Sequence, residues 1–320
     1  MKINQSMKSI TNVYNKMSNF GKILLFIILL LLLMTFFKYI NINVDNPYKK
    51  KITEGFIQTD DYVFLQDVDA FDEFYAKIYD FLVFNDIKSD FEIGKVIDLI
   101  GPSNQATILD IGSGTGHHVD MLSKNDNVNS VVGVDISKSM IEISKENYPS
   151  HQWVIGNVTK LETFNRSSFT HITCFYFTIY YFKEKRQFFE NCMEWLMPGG
   201  YLIVHLVNKE KFDPILPPGN PLYLVSPQKY AKNRITKTKI NFNDFVYNSN
   251  FNLDGDIATF DEKFKFKDGK VRQQQQTLYM EDEETISAIA QQCGFTLHSI
   301  VDMIKCAYEY QYLYVFVKPS

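Results

Sequence analysis

Ile108-Leu109-Asp110-Ile111-Gly112-Ser113-Gly114-Thr115-Gly116 reads as a buried strand that breaks into a glycine loop and then enters a helix. A loop without side chains lets backbone N–H groups approach a ligand closely, and the helix N-terminus behind it favours nucleotide-like groups. The spacing is G-x-G-x-G. The dinucleotide fingerprint G-x-G-x-x-G would need a third glycine where His117 stands. Val131-Val132-Gly133-Val134-Asp135 is a second apolar strand with an acid at its carboxyl end, 25 positions after Asp110. An acid placed there can accept two hydrogen bonds from a ribose diol.

The glycine loop, the spaced Asp135 and a later Pro198-Gly199-Gly200 turn together resemble the class I S-adenosylmethionine-dependent methyltransferases, in their small-molecule branch. The likeness runs from about Phe71 to Pro319. It implies a doubly wound, Rossmann-like α/β fold whose seven-stranded sheet has an antiparallel last strand. It also implies S-adenosylmethionine as cofactor. Asp110, Gly112, Ser113, Gly114 and Gly116 would line its methionine end, Asp135 its ribose, and Ile136, Gly156, Asn157 and Val158 its adenine, with Phe175 a further cofactor contact. The family often has an acid at the Asn157 position, and an Asn carbonyl can accept the same hydrogen bond. Thr170 stands where the family usually has Asp.

The 320 residues suit one large domain with appendages, and 27 Phe and 19 Tyr supply ample core material. Net charge is −4 and unevenly spread. Residues 1–59 carry eight Lys against Asp45 and Glu54, a net of +6, which leaves −10 on the remainder. That balance argues against a nucleic-acid partner. Cys174, Cys192, Cys293 and Cys306 form no C-x-x-C pair, so they read as reduced thiols rather than a disulfide framework or zinc site. His117 and His118 would point about 100° apart on a helix, a poor metal-ligand pair, and no metal is expected.

Residues 23–37 are a charge-free run of 15, mostly Leu, Ile and Phe. As a helix it rises only about 22 Å, short of the roughly 30 Å hydrocarbon core. Lys22 and Lys38 can snorkel, and Tyr39, Ile40 and Ile42 extend the apolar part. The reading is a lysine-containing tail (1–22), a single transmembrane helix (23–42), a linker (43–60) and a catalytic body (61–320). No small-residue cleavage site follows the run, against a signal peptide. Lysines tie four to four across the span, so only the cytosolic cofactor places the body on the cytosolic side.

Along the body, residues 71–82 and 90–99 show helical spacing. The first resembles the family's helix before the glycine loop, and that resemblance implies that Tyr75 and Tyr79 cap the methionine end of the cofactor, the other reading being that they merely pack. Strands are predicted at 107–111, 131–135, 152–155, 171–175 and 201–206, with helices at 117–123, 138–147 and 183–195 between them. From 208 to 280 the pattern alternates over 242–247, 258–266 and 271–279, with hairpin turns at Asp254-Gly255-Asp256 and Asp268-Gly269. This predicts an antiparallel β lid inserted in the domain. A helix over 283–293, capped by Gly294, and strands over 295–304 and 310–317 close the chain.

Methyl transfer requires alignment of an already activated cofactor, and a general base only for a protonated nucleophile. His205, at the end of a strand, is the best-placed candidate base, the other reading being a strand-end histidine bonded to the lid, with Tyr180 and Tyr181 as further catalytic candidates. The sequence thus reads as a membrane-anchored methyltransferase for a small or lipid-like acceptor. The rival reading is an inactive module that keeps the fold as a membrane-tethered scaffold.

Overall fold

The computed structural model describes residues 14–43, 58–101, 105–219 and 226–320. The chain divides into Met1–Phe56 and Ile57–Ser320. In the first unit, α1 (Asn19–Asn43) runs for 25 residues. Among the described residues, however, no helix is long and apolar enough to cross a membrane. The expected transmembrane anchor, its single-pass placement and its cytosolic orientation are therefore withdrawn. The physical reason is length: Lys22 and Lys38 confine the charge-free run to 15 residues, and its rise of about 22 Å falls short of roughly 30 Å.

The second unit is built on a seven-stranded sheet. Its strands are β2 (Ala106–Ile111), β3 (Val128–Asp135), β4 (Gln152–Ile155), β5 (Phe169–Cys174), β6 (Leu196–Val207), β11 (Thr296–Asp302) and β12 (Gln311–Val317). The order is β11-β12-β6-β5-β2-β3-β4. β2 to β6 are mutually parallel, and β12 runs antiparallel to both its neighbours. β2 and β5 are buried along nearly their whole length because both sheet faces are covered. From β2 the chain winds outward to β3 and β4, then returns to β5 on the other side. A crevice opens at that reversal, above the carboxyl ends of the strands.

The helices are those the sequence marks, with caps that set their starts. α2 (Glu73–Val83) begins at Asp72, whose carboxylate accepts from Tyr75 N at 3.1 Å. α3 (Asp86–Leu99) starts earlier than the apolar spacing suggests because Asn85 caps it through Lys88 N. α4 (His117–Ser123) follows the glycine loop, and α5 (Lys138–Asn147) is capped by Ser137. α6 (Lys185–Trp195) lies between β5 and β6, and α7 (Glu283–Gln292) ends in Gly294 at φ 102°. Pro198-Gly199-Gly200 is not a free turn but part of β6. Gly199 N donates to Lys318 O, and Lys318 N donates to Gly200 O, both at 2.9 Å, so the C-terminal chain pairs with it.

The insert forms a second sheet of five strands, β1-β10-β9-β8-β7. β7 (Lys237–Asn241), β8 (Phe245–Asp254), β9 (Ile257–Phe266) and β10 (Val271–Tyr279) make an antiparallel meander. The fifth strand, β1 (Tyr62–Gln66), comes from before the main sheet and pairs in parallel with β10. The sequence reading missed it: the strand is short, alternately exposed, and its partner lies about two hundred positions away.

Candidate functional site

The glycine loop turns sharply at the end of β2. Gly112, Gly114 and Gly116 have φ of 69°, 54° and 96°. Gly112 N and Ser113 N both donate to Val134 O at 2.9 and 3.0 Å, which pins the loop to the end of β3. Gly116 is required for a packing reason. A Cβ there would stand 2.5 Å from the Trp153 ring, so the indole closes over the loop only because no side chain is present.

Asp135 completes this corner. Its Oδ2 accepts from Gly114 N at 3.0 Å and its Oδ1 from Ser137 N at 2.8 Å. Burial nevertheless pushes its pKa up to about 6, against the lowering effect of those two N–H groups. Asp110 is buried too, and burial raises its pKa while Thr173 Oγ1 donates to it at 2.6 Å.

A cleft of about 690 Å³ lies above the strand ends. Of the sequence-predicted cofactor residues, Tyr79, Gly112, Gly114, Asp135, Ile136, Gly156, Asn157 and Val158 line it. Asp110, Ser113 and Phe175 instead line a side chamber on the other flank of the loop, with Lys88, His117 and His118. Gly116 lines neither, and serves the turn. Asn157 Oδ1 is occupied by Thr159, accepting from its N at 2.9 Å and its Oγ1 at 2.8 Å, so it shapes the rim as well as facing the cleft.

His117 is held by its own neighbours. Nε2 meets Asp80 Oδ2 at 2.9 Å, Nδ1 meets the Tyr148 hydroxyl at 2.9 Å, and the ring stacks on Phe84. His118 Nε2 meets Glu92 Oε2, which also takes Lys88 Nζ, both at 2.9 Å. Although burial raises the Glu92 pKa, Lys88 and His118 together hold it down at about 2.

The three catalytic candidates part company. His205 is fully buried behind the wall of the cleft and lines none of it, 3.8 Å from Glu92 Oε1. Burial depresses its pKa to about 4, so it is neutral at pH 7. Its strand continues to Val207, which leaves His205 two residues below the sheet edge. Tyr180 is also fully buried. Its hydroxyl receives Val207 N at 2.7 Å, a role in tying the segment after β5 to β6. Tyr181 alone of the three lines the cleft. Of the three, Tyr181 is thus the one that the geometry leaves facing the cleft.

Tertiary contact adds residues that no local pattern marks. Asp67, Val68 and Phe71 reach the cleft from the segment after β1, and Thr277 and Tyr279 from β10. Tyr176, at φ 53°, lines the cleft and the side chamber. A bulky residue in that region is strained, as residues in ligand-facing turns often are. Its place directly after β5, in a run of aromatics, was the one sequence signal available. Thr170, in place of the family's Asp, joins β2 to β5: its Oγ1 accepts from Thr107 N at 2.9 Å and donates to Thr107 O at 3.0 Å.

Residues 109–204 match the methyltransferase domain family. The chain is 27% identical over 110 residues to demethylmenaquinone methyltransferase of Thermotoga maritima, a match that spans 34% of this chain and 47% of that protein. In fold it is similar to an S-adenosylmethionine-dependent methyltransferase from Clostridium acetobutylicum, with a TM-score of 0.58 at 18% identity, over 77% of this chain and 96% of that one. It is likewise similar to the CcbJ methyltransferase from Streptomyces caelestis, with a TM-score of 0.60 at 17% identity, over 79% of this chain and all of the other.

Proposed function

We propose that this chain, an S-adenosylmethionine-dependent methyltransferase by its domain, methylates a small-molecule acceptor inside one roofed cleft. The observation that carries this reading is the continuity of the cleft. It runs from Asp135 and Asn157, past Gly112 and Gly114, to Tyr181 under Thr277 and Tyr279 of the insert. About 690 Å³ accommodates a nucleoside-sized cofactor with a modest acceptor, within the range of small-molecule sites.

The residues fit S-adenosylmethionine. Asp135 is a half-buried carboxylate facing the cleft, suited to a ribose diol. Ile136, Met140 and Val158 form an apolar shelf for a purine. In the side chamber a buried acid, Asp110, and a buried cation, Lys88, suit the two charges of an α-amino acid. When bound, the cofactor supplies a methyl group already activated on a sulfonium. The protein's part is to align it, exclude water and shield developing charge. The Tyr176, Tyr181 and Phe177 rings, the β10 roof and Phe71 do this around the centre of the cleft. Aromatic faces stabilise positive charge there.

The test is calorimetric titration of the chain with S-adenosylhomocysteine. Binding in the micromolar range is expected. A folded protein that binds neither it nor S-adenosylmethionine sinks the reading.

A further inference from the structure

Tyr181 stands between the cofactor cleft and a smaller chamber beneath the insert, walled by Phe177, Phe212, Phe251, Phe260 and Leu278. Behind it lies a buried carboxylate that the methyl-transfer reading does not use. Glu262 on β9 is 2% exposed and accepts four hydrogen bonds from neutral groups. Tyr75 and Tyr247 hydroxyls donate to Oε1 at 2.9 and 2.6 Å, and the Gln274 and Gln276 amides donate to Oε2 at 2.6 and 3.0 Å. Four donors fill the acceptor sites of an ionised carboxylate.

This network sets the polarity of the chain of bonds that reaches the cavity. Because Gln276 turns its NH2 to Glu262, its carbonyl oxygen faces Tyr181 and can only accept. Tyr181 therefore donates its one proton to Gln276. What remains of the phenol for a ligand is lone pairs. Burial and the nearby Glu262 both raise the Tyr181 pKa, so the proton stays. A group that meets this oxygen must bring an N–H or O–H of its own.

A hydroxyl acceptor would also need a base for its proton. Asp213 is the one carboxylate among the described residues lining the chamber, and its oxygens are taken by Ile215 N, Gln228 Nε2 and Ser226 Oγ. An amine needs no base, because it attacks through its own lone pair. We propose that the chamber receives the methyl acceptor as a neutral primary or secondary amine, whose N–H is held by the Tyr181 oxygen. The inference rests on the methyltransferase reading above.

In the step, the amine lone pair forms the N–C bond, the C–S bond breaks, and its electron pair stays on sulfur as a thioether. The nitrogen becomes an ammonium that keeps its proton against Tyr181 until release to water. Positive charge grows on nitrogen during transfer, so a lone pair and aromatic faces hold the transition state better than the neutral amine.

The test uses the full chain saturated with S-adenosylhomocysteine and two probes of equal charge, benzylammonium and benzyltrimethylammonium, titrated by calorimetry. Only the first has N–H. Tyr181→Phe is expected to weaken benzylammonium about tenfold, as loss of a hydrogen bond to a charged group implies, and to leave benzyltrimethylammonium unchanged. Gln276→Leu frees the Tyr181 proton to turn toward the chamber, and should weaken benzylammonium in the same way. Circular dichroism and S-adenosylhomocysteine affinity report whether each variant is intact. Equal benzylammonium affinity in wild type and Tyr181→Phe overturns the inference, as does a wild-type complex that binds no benzylammonium. In both cases retained S-adenosylhomocysteine binding leaves the methyltransferase reading standing, whereas its loss in wild type brings both down.

Discussion

Asp135 shows how one side chain can serve both the fold and a ligand. Two backbone N–H groups hold it, yet burial leaves it with a pKa of about 6 rather than the ordinary carboxylate range. A ribose diol donates hydrogen bonds, so it needs the ionised form. Above pH 6 that form is present. Below it a proton must leave before the ligand binds, and affinity for S-adenosylhomocysteine should fall by up to about tenfold per pH unit. Asp135→Asn should bind more weakly by about 1.5–3 kcal/mol at pH 8 and lack this slope. Calorimetry between pH 5 and 8 checks it, and equal wild-type affinity at both ends removes Asp135 from the ribose site. His205 teaches the converse. A histidine near a strand end resembles a base in sequence, but its depth in the sheet decides whether it can meet a substrate.

At the scale of elements, the turn from β2 into α4 is shaped by a distant aromatic ring. Trp153 on β4 covers Gly116, whose φ of 96° is already unfavourable for any other residue. Gly116→Ala adds backbone strain of about 1–3 kcal/mol to a clash of similar size. Urea denaturation should show a loss of about 2–4 kcal/mol. A loss under about 0.5 kcal/mol would mean that Trp153 swings away freely. The five-stranded insert depends on a similar long reach. β10 carries Arg272, Gln274 and Gln276 on its buried face, and these polar groups are tolerated because Asp72 and Glu262 pair with them. Arg272 binds Asp72 through both terminal nitrogens, at 2.8 and 3.0 Å, and so fastens the cap of α2 to the insert.

Across the whole second unit, the cleft is assembled from three stretches far apart in the chain: residues 67–79, 111–187 and 277–279. A ligand that touches all three joins them. S-adenosylhomocysteine at a hundred times its Kd should therefore stabilise the protein by about 2.7 kcal/mol. Hydrogen exchange should slow in β1 and β10 together with the glycine loop. Protection confined to the glycine loop would show that the insert takes no part in holding the ligand.

The sequence by itself determined the parallel sheet, its order of elements and the glycine-loop corner. These rest on local signals: apolar strands, glycines that must take positive φ, Ser137 at a helix start and Gly294 past a helix end. The glycine loop and Asp135 are legible because the strand, the loop and the next strand's end follow one another within 30 residues. Tertiary structure alone decided what surrounds Tyr181. Glu262 and Gln276 are unremarked in sequence, and Tyr181 is only one candidate among several, until β9, β10 and the segment after β5 bring the three together. β1 likewise becomes a strand only when β10 offers it an edge. Burial also reversed the ranking of His205 and Tyr181, because a strand's sequence does not reveal how deep each residue sits beneath its neighbours. The N-terminal run shows the limit of composition: its residues are apolar enough, but the lysines at each end leave it too short. Local chemistry is written along the chain, whereas depth and partnership belong to the packed molecule.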